Sequence, residues 1–548
     1  MMSLPLMTSE SPVRRDISRR AVLAGGAAGL ALAGGITHAS PRAAALVRSR
    51  GTLPSGIQIG DVTTDRAVLW ARSDRTGRMI ARVSDGTRHG AREIVGPWAT
   101  ATTDHTAKIG LERLAPGREY TVSIGFEDAD GARSQMVKGS FSTARHRGET
   151  TFVWTGDTAG QGWGINPDIG GMPGYAAMAE TRPDFLIHSG DNIYADGPIS
   201  AQVTEKDGQV WRNVVTEEVA KVAETLTEFR GRYRYNQSDR NVREMYAHVP
   251  VIAQWDDHET TNNWYPGEVL DLPAYTQERR VDVLAARARR AFGENMPIAD
   301  GYLRHRSGWY TWTDRRDRVR PRRKGEVPEP SRIYRKISRG RHLDVFCLDM
   351  RTHRGDNPTA ATTNPVAILG EEQVRWLLRE LETSTATWKV IAADMPLGLI
   401  VPDGTGAEAV SDGRQTGVGG REHELGRVLS GIKKRRIRNV VWLTADVHYT
   451  AAHHYDPARA VFTDFDPFYE FVAGAIHAGS FGPNEFDATF GPKALFTKSG
   501  DYPGQSPRTG KNQFFGHVTI SGDGLFHVSL RDATGETLYR KTLEPHER

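Results

Sequence analysis

The chain contains 548 residues, of which 38% are hydrophobic and 25% are charged, and its formal net charge at pH 7 is +4. This length accommodates two or three domains with large cores, and the composition is that of a globular protein. The small net charge excludes a general electrostatic attraction to nucleic acid, so we expect no nucleic-acid-specific binding. The single cysteine, Cys347, excludes an intrachain disulfide.

The first 45 residues have the layout of an export signal. Basic residues precede an Ala- and Gly-rich apolar run, Ala21–Ala33, which is too short to span a membrane. Ser18–Leu23, Ser-Arg-Arg-Ala-Val-Leu, resembles the twin-arginine signal that addresses folded bacterial proteins for export. We therefore predict a twin-arginine-type signal peptide over residues 1–45, in preference to a disordered basic tail. The expected partner is the twin-arginine export machinery, and the mature protein is expected to be periplasmic or secreted, without a transmembrane anchor.

Residues 50–146 are predicted to form a small all-β sandwich of the fibronectin or immunoglobulin type. Ala67–Trp70 is typical of a buried strand, and Glu119–Ile124 alternates with period two. Leu114–Tyr120 resembles the strand-entry turn of fibronectin-type sandwiches. Because no cluster of His, Asp or Glu occurs at ligand spacing, we expect this domain to be accessory or to frame the substrate.

Between residues 150 and 545, strands alternate with helices, which is the α/β pattern. The predicted buried strands are Thr151–Thr155, Phe185–Ile187, Val251–Trp255, Leu343–Leu348, Trp388–Ala392 and Val440–Leu443. The predicted helices are Thr216–Arg230, Tyr275–Phe292, Glu371–Glu382 and Glu422–Lys434, and further strands are expected from Phe514 to Leu543. The charge run Asp314–Lys324 is predicted to be a solvated loop, in preference to a patch for an anionic polymer or lipid surface.

Five of the predicted strands are followed directly by carboxylates, namely Asp157, Asp191, the pair Asp256 and Asp257, Asp394, and Asp446. In a single sheet, the carboxyl ends of these strands would meet at one edge. So many like charges in one crevice repel strongly unless cations are present. A lone strand-end Asp is usually a cap or turn residue, but five such ends together favour a metal site. Carboxylates with some His and a phenol suit Fe, Mn, Ca or Mg.

The order of these motifs resembles that of the calcineurin-like metallophosphoesterases and, more closely, the alkaline phosphatase D (PhoD) family. The closer resemblance is carried by SGDNIYAD at Ser189–Asp196, QWDDHETTNNW at Gln254–Trp264, CLDMRTHRG at Cys347–Gly355, VVWLTADVHYTAAHHY at Val440–Tyr455 and AIHAGSFGPN at Ala475–Asn484. It spans about residues 54–543. It implies an α/β (α+β) fold over residues 150–545, with a layered β-sandwich flanked by helices. That catalytic domain would follow an N-terminal sandwich of the PhoD type.

The resemblance also implies roles for individual side chains. The implied metal ligands are Asp157 on the first metal, Asp191 bridging two metals, Tyr194 on Fe(III), Asp257, Asp394, Asp446 and His448. His258 would face the leaving group. Described members of the family have a Cys ligand after the first strand, where this chain has Asp157. Harder ligands at Asp394 and Asp446 favour Ca or Mn at the second position. The resemblance implies Fe(3+) with Ca(2+), and Mn or Zn are alternatives.

These observations predict an exported, metal-dependent phosphoric ester hydrolase, an alkaline phosphatase or phosphodiesterase, whose substrate is a phosphate ester. Two cations would activate the attacking hydroxide. Arg351 is the basic side chain expected to bind a phosphate oxygen, because its planar fork suits phosphate; a surface ion pair is the alternative. Two other functions stay open: a phospholipase D-like phosphodiesterase using the same site, and a non-catalytic periplasmic protein that binds phosphate or a polymer.

Overall fold

The computed structural model of the chain describes residues 50–87, 90–299, 304–305, 308–309, 332–414 and 417–546. The predicted signal peptide and the charge run Asp314–Lys324 lie outside these residues. Among the helices of this described part, none has the length and apolarity needed to cross a membrane.

The described residues form strands and helices with the following bounds. The strands are β1 Ile57–Gly60, β2 Ala67–Arg72, β3 Gly77–Ser84, β4 Arg92–Ala99, β5 Thr106–Leu111, β6 Glu119–Glu127, β7 Val137–Ser142, β8 Thr150–Thr155, β9 Phe185–Ser189, β10 Gln202–Thr204, β11 Val210–Arg212, β12 Val251–Gln254, β13 Arg304–His305, β14 Gly308–Trp309, β15 Arg335–Ser338, β16 Leu343–Cys347, β17 Trp388–Ala392, β18 Pro402–Asp403, β19 Gly406–Ala407, β20 Val440–Thr444, β21 Thr450–Tyr455, β22 Phe468–Val472, β23 Pro492–Lys498, β24 Phe514–Ile520, β25 Phe526–Asp532 and β26 Thr537–Leu543. The α-helices are α1 Pro173–Glu180, α2 Leu226–Asn236, α3 Arg240–His248, α4 Val281–Asn295, α5 Glu371–Thr383 and α6 Glu422–Lys434. Short 3-10 helices cover Ala101–Thr103, Pro167–Ile169, Glu217–Val219, Pro457–Arg459 and Pro507–Thr509.

Two large sheets form the centre of the fold. The first has the strand order β26-β25-β24-β8-β9-β12-β1-β2-β5, and the second has the order β15-β16-β17-β20-β22-β21-β23. In the first sheet β8, β9 and β12 are parallel, and Leu186 lies opposite both Val153 and Val251. In the second sheet β16, β17, β20 and β22 are parallel. Antiparallel strands complete the edges of both sheets, as expected for the late strands β24–β26.

The two sheets pack face to face, and helices cover their outer faces. Phe152, Ile187 and Val345 belong to one buried cluster between the sheets, together with Val390 and Leu443. Apolar side chains of α1–α4 pack on the outer face of the first sheet, and those of α5 and α6 pack on the second. This arrangement confirms the predicted layered β-sandwich flanked by helices.

The expectation that the five carboxylate-bearing strands lie in a single sheet is wrong. β8, β9 and β12 belong to the first sheet, whereas β17 and β20 belong to the second. The hydrophobic pattern of a buried strand shows that it is buried but does not identify its neighbours, because pairing depends on distant segments. The strand ends nevertheless meet, because the two sheets are stacked with these ends on a common side.

The N-terminal region is a sandwich, as predicted, but one of its two sheets is continuous with the first large sheet. Strands β1, β2 and β5 face the sheet β4-β3-β6-β7 across a buried core. At the junction, Gly60 pairs with Val251 of β12 in parallel register. A Cβ atom at Gly60 would lie 2.4 Å from the carbonyl oxygen of Pro297, so this approach requires glycine. The next residue, Asp61, forms a buried ion pair with Arg335, 2.8 Å apart.

Two of the predicted helices agree with the structure and two begin late. Helix α6 has the predicted bounds, and α5 is one residue longer than predicted. The prediction of a helix from Thr216 is wrong, because α2 begins at Leu226. Thr225 and Glu228 form a capping box there, in which each side chain accepts a hydrogen bond from the other's backbone N–H. The prediction of a helix from Tyr275 is likewise wrong: α4 begins at Val281, because the preceding residue is held in a β-bridge to Val269.

Candidate metal centre

The loops after β8, β9 and β20 place their carboxylates through an unusual backbone conformation. Asp157, Asp191 and Asp446 have φ angles of 66°, 49° and 67°, in the left-handed region. Non-glycine residues rarely adopt this region, and Asp is among those that tolerate it best. His448 shares the conformation, with φ 57°. Side chains that sequence reasoning placed at separate strand ends are therefore turned into a common space.

Asp157, Asp191 and His448 form the first group of side chains able to hold a cation, with one ligand atom of each within 4.8 Å of the others. Neither carboxylate oxygen of Asp157 has a hydrogen-bond partner among the described residues, although the side chain is buried. Nδ1 of His448 lies 2.5 Å from the carbonyl oxygen of Gly479, so this nitrogen donates a hydrogen bond. Nε2 of His448 therefore keeps its lone pair, 3.3 Å from Asp157. A buried carboxylate without donors beside an available imidazole nitrogen fits a metal ion.

Tyr194 completes this side of the centre. Its hydroxyl lies 2.8 Å from Nε2 of His448, and its ring stacks on the imidazole of His258 with ring centres 4.1 Å apart. Burial, with Asp191 and Asp157 nearby, raises the pKa of Tyr194 well above its usual range. The phenolate therefore needs a cation to stabilise it. A Cβ atom at Gly160 would lie 2.5 Å from Cζ of Tyr194, so the glycine allows the loop to approach the ring.

Two further groups continue from the first. Asp191, Asp257 and His258 form one, and Asp256, Asp257 and Asp446 form the other. Asp191 thus belongs to two groups, and Asp257 also belongs to two. The arrangement is a row of adjoining ligand sets with shared carboxylates, which is the arrangement that a centre with more than one metal ion requires.

His258 lies at the edge of the centre, with 14% of its side chain exposed. Its Nδ1 is 2.7 Å from Oδ1 of Asp196. Burial opposes protonation of this imidazole, but Asp196, Asp257 and Asp191 together raise its pKa well above the ordinary value. The side chain is therefore suited to carry a proton near the reacting atoms.

Glu259 holds the backbone of two ligand-bearing loops. Its carboxylate accepts hydrogen bonds from the backbone N–H groups of Asp191 (3.0 Å), Asn192 (2.6 Å) and Asp256 (2.6 Å), and from the side-chain amide of Asn192 (2.9 Å). Oxygen acceptors that fix ligand orientation are a usual part of metal sites. Glu259 therefore positions the strand ends of β9 and β12 relative to each other.

Arg351 lies inside the centre, fully buried, and its described partners are carboxylates. It contacts Asp256 and Glu408 closely, and its guanidinium nitrogens lie 3.2 Å from Asp394 and 3.4 Å from Asp446. The alternative of a surface ion pair is wrong, because the side chain is not at the surface. Its expected contact with a phosphate oxygen stays a prediction, since no described contact tests it.

The centre holds more negative charge than its basic groups balance. Burial, with Asp256 close by, raises the pKa of Asp394 well above its usual range, and burial with Glu408 does the same for Asp446. The pKa of Asp191 is raised in the same direction, first by burial. Crowded carboxylates of this kind are stabilised as anions by bound cations. The donor set therefore fits hard or borderline metal ions.

The structure brings all of the predicted site residues into this centre, and it adds several that sequence reasoning left out of the ligand set. Asp394 joins through Arg351 and Asp256, and Tyr194 joins through His448. Asp256 and Glu259 lie within the stretch QWDDHETTNNW at Gln254–Trp264, so the sequence did contain a motif that pointed to them. Glu408 follows β19, a two-residue strand within a long loop. This strand was not predicted, so no strand-end pattern pointed to Glu408.

Cys347 lies apart from the metal ligands. It ends β16 and is buried among the apolar side chains between the two sheets. Burial raises the pKa of its thiol to about 11, so the thiol stays protonated at neutral pH. The chain's own cysteine is therefore not part of the centre, and the replacement of the family's Cys ligand by Asp157 stays a prediction.

Comparisons with known proteins agree with this geometry. The family model described as PhoD-like phosphatase matches residues 152–530, and the model of its N-terminal domain matches residues 38–145. Alkaline phosphatase D of Bacillus subtilis (strain 168) is 27% identical over 459 residues, which cover 78% of this chain and 70% of that protein.

Two solved structures share the fold. The structure of PhoD matches with a TM-score of 0.64 at 20% identity, covering 91% of this chain and 93% of that one. The purple acid phosphatase PPD1 from yellow lupin (Lupinus luteus) seeds matches with a TM-score of 0.52 at 13% identity, covering 90% and 75%. These two matches show the shared fold, and the family model, which spans most of the chain, identifies the family. The chain belongs to the PhoD-like phosphatase family.

Proposed function

We propose that this protein is an exported phosphoric ester hydrolase with alkaline phosphatase or phosphodiesterase activity, which depends on two or more bound cations. Membership of the PhoD-like phosphatases supports hydrolysis of phosphoric esters. The observation that carries the multi-metal mechanism is the row of ligand groups that share Asp191 and Asp257. Bound cations would supply Lewis-acid activation of water and of the phosphate ester.

The chain's own residues would divide this work between binding and proton transfer. Asp157, Asp191, Tyr194 and His448 would hold the first cation, with Asp191 shared with the second. Asp257, with Asp256, Asp394 and Asp446 around it, would complete the remaining positions. His258, held by Asp196 and protonated, would donate its proton to the leaving oxygen. Arg351 would offset part of the carboxylate charge and, as predicted from sequence, would contact a phosphate oxygen.

The donor chemistry supports Fe(3+) with Ca(2+), and Mn or Zn are alternatives. A buried phenol whose pKa is raised suits a strongly polarising ion such as Fe(3+), which favours the phenolate. The carboxylate-rich second region suits Ca(2+), which prefers oxygen ligands. We also propose the division into a signal peptide over residues 1–45, a sandwich over 50–146 and a catalytic domain over 150–545. Export by the twin-arginine route would then place the protein in the periplasm or outside the cell.

The remaining alternatives have less support. A non-catalytic binding protein is expected to have lost ligands, and in this sequence the family's Cys is the only implied ligand that is replaced. A phospholipase D-like phosphodiesterase would use the same residues, and nothing in the described part of the centre favours it over the proposed activity.

The proposal is tested by metal analysis and hydrolysis assays on one preparation of purified protein. We expect bound iron and calcium, and hydrolysis of para-nitrophenyl phosphate, bis-para-nitrophenyl phosphate, or both. Asp191→Ala should reduce both metal content and hydrolysis to background, because it removes a ligand from two groups. Asp464→Ala, an exposed carboxylate whose side chain is 66% accessible, serves as the matched control. Near-normal turnover by Asp191→Ala would refute the shared-ligand mechanism.

A further inference from the structure

A second acidic cluster lies outside the metal centre and shares no residue with it. It consists of Asp412, Glu422 and Asp487, with one oxygen of each within 4.8 Å of the others. Their exposed fractions are 5%, 0% and 1%. Asp412 lies in the loop before α6, Glu422 is the first residue of α6, and Asp487 lies in the loop before β23. Neither the sequence motifs nor the proposed mechanism uses these residues.

Each of the three carboxylates has one oxygen anchored by the backbone. Asp412 accepts from the N–H of Arg414 (3.0 Å), Glu422 from that of Gly419 (3.1 Å), and Asp487 from that of Thr489 (2.7 Å). The other oxygen of each is buried and makes no hydrogen bond in the described part of the chain. Anchoring of one oxygen fixes the direction of the other, which is how the ligands of a metal site are held.

An unpartnered hydroxyl provides independent support for a ligand at this place. Thr489 is fully buried, and its side-chain oxygen makes no hydrogen bond among the described residues. The hydroxyl faces the Glu422 carboxyl, so it points towards the acidic cluster. Buried polar atoms are nearly always satisfied in folded proteins, so four unsatisfied oxygens together indicate a missing partner. A cation can satisfy all four oxygens at once through their lone pairs.

The basic side chains near this cluster do not balance it. The closest basic side chain in the described part is Arg414, whose Nε lies 4.0 Å from Asp412. Nε and Nη2 of Arg414 make no hydrogen bond there, and its single charge offsets the three carboxylates only in part. Arg421, next to Glu422 in the chain, instead donates to backbone carbonyls of residues 355–356 and 407–409 and to Asn357. Three buried carboxylates at this spacing are costly without a positive charge between them.

We propose that Asp412, Glu422 and Asp487, with the Thr489 hydroxyl, bind a hard divalent cation of the Ca(2+) class. The donors are all oxygens, which Ca(2+), Mg(2+) and Mn(2+) prefer, and the cluster offers no nitrogen or sulfur ligand for a softer metal. This site is separate from the metal centre and does not depend on the proposed hydrolysis. Its role is structural: the cation joins the loop before α6 to the loop before β23.

The proposed cation site lies close in the chain to Glu408, a residue of the metal centre. Glu408 lies four residues before Asp412 and forms ion pairs with Arg351 and Arg354. The segment between Glu408 and Glu422 therefore connects the two places. Loss of the cation is expected to lower the thermal stability of the protein and to leave the ligands of the metal centre in place.

The test compares Ca(2+) binding and thermal unfolding of full-length, metal-stripped protein. The variants are Asp487→Asn and Glu422→Gln, which preserve shape, and the control is Glu485→Gln, an exposed carboxylate on the same loop. Wild type and the control should bind one more Ca(2+) per chain than either variant, and Ca(2+) should raise their unfolding temperature. In chelator, Asp487→Asn should unfold at or above the wild-type temperature, because it removes one of three repelling charges.

Asp191→Ala separates this site from the metal centre. It should keep the cation bound by the cluster, with its effect on unfolding temperature, while losing hydrolysis. Equal Ca(2+) stoichiometry in wild type, Asp487→Asn and Glu422→Gln would overturn the proposal. It would also be overturned if the variants unfolded below wild type by the same number of degrees with and without Ca(2+). Crystals of wild-type protein soaked in Mn(2+) test it without any variant, and no anomalous peak among the three carboxylates would also overturn it.

Discussion

Replacing Glu259 with Gln tests whether this side chain organises the metal centre. The carboxylate accepts four hydrogen bonds, from the backbone N–H groups of Asp191, Asn192 and Asp256 and from the Asn192 amide. Gln keeps one acceptor oxygen and places an NH2 group where the other was. Two of the four donors then face a donor and lose their acceptor.

The expected cost follows from the number of donors left unsatisfied. Each buried donor that loses its acceptor costs about 1–3 kcal/mol, so Glu259→Gln should lower the free energy of unfolding by about 2–6 kcal/mol. Because Asp191 and Asp256 are carried by the loops that shift, metal affinity should fall about 10- to 100-fold. The shape of the side chain is unchanged, so altered packing contributes little to this cost.

Urea unfolding and metal titration of the same preparations measure both effects. Glu485→Gln makes the same chemical change at an exposed position and should match wild type within about 0.5 kcal/mol. If Glu259→Gln matches wild type in both stability and metal affinity, Glu259 does not hold these loops. Lost stability with unchanged affinity would show that the hydrogen bonds serve the fold alone.

Three further predictions follow from particular contacts. Tyr194→Phe keeps the ring stacked on His258 but removes the hydroxyl beside His448, so any visible iron–phenolate absorption should disappear; a coloured variant would mean that another residue supplies the phenolate. Asp61→Asn removes the carboxylate that pairs with the buried Arg335, so calorimetry should show a loss of about 3–5 kcal/mol of stability, whereas Asp65→Asn at the surface should not. Burial and Arg531 lower the pKa of His517 to about 4, so the folded protein favours the neutral imidazole. The contribution of His517 to the free energy of unfolding is complete above pH 6.5 and is lost as pH falls towards 4. The loss is roughly 3 kcal/mol at most, since one pKa unit corresponds to about 1.36 kcal/mol. His517→Gln should flatten this part of the stability profile. An unchanged slope, equal to that of the half-buried control His527→Gln, would contradict the assignment.

Much of the metal centre was readable from the sequence because its ligands follow strands directly. Asp157, Asp191 and Asp446 each stand one or two residues after a buried apolar run, and the structure brings them to one place. The family and the layered fold were also predicted correctly. These features depend on local patterns, namely apolar strands and the polar residues that end them.

The parts that were missed depend on distant pairings. Nothing in the pattern of β17 or β20 indicates that they belong to a different sheet from β9, because both sheets are buried on both faces. Glu408 reaches Arg351 from a long loop, and its distance in sequence from every predicted strand end hides it. Asp412, Glu422 and Asp487 are likewise separated in the chain and are brought together only by folding. The late start of α2 is different, since the capping residues Thr225 and Glu228 are visible in the sequence.

The sheet that runs through Gly60 and Val251 has a consequence for how this protein unfolds. A chain cut before β8 would leave β12 as a free edge with open hydrogen-bonding groups, and would remove the carboxylate of Asp61 from the buried Arg335. Trp70 and Lys108 also donate to backbone carbonyls of Glu294 and Gly293 at the end of α4. The N-terminal sandwich is therefore not a detachable module. We expect a single cooperative transition in calorimetry, in which the sandwich and the catalytic layers melt together.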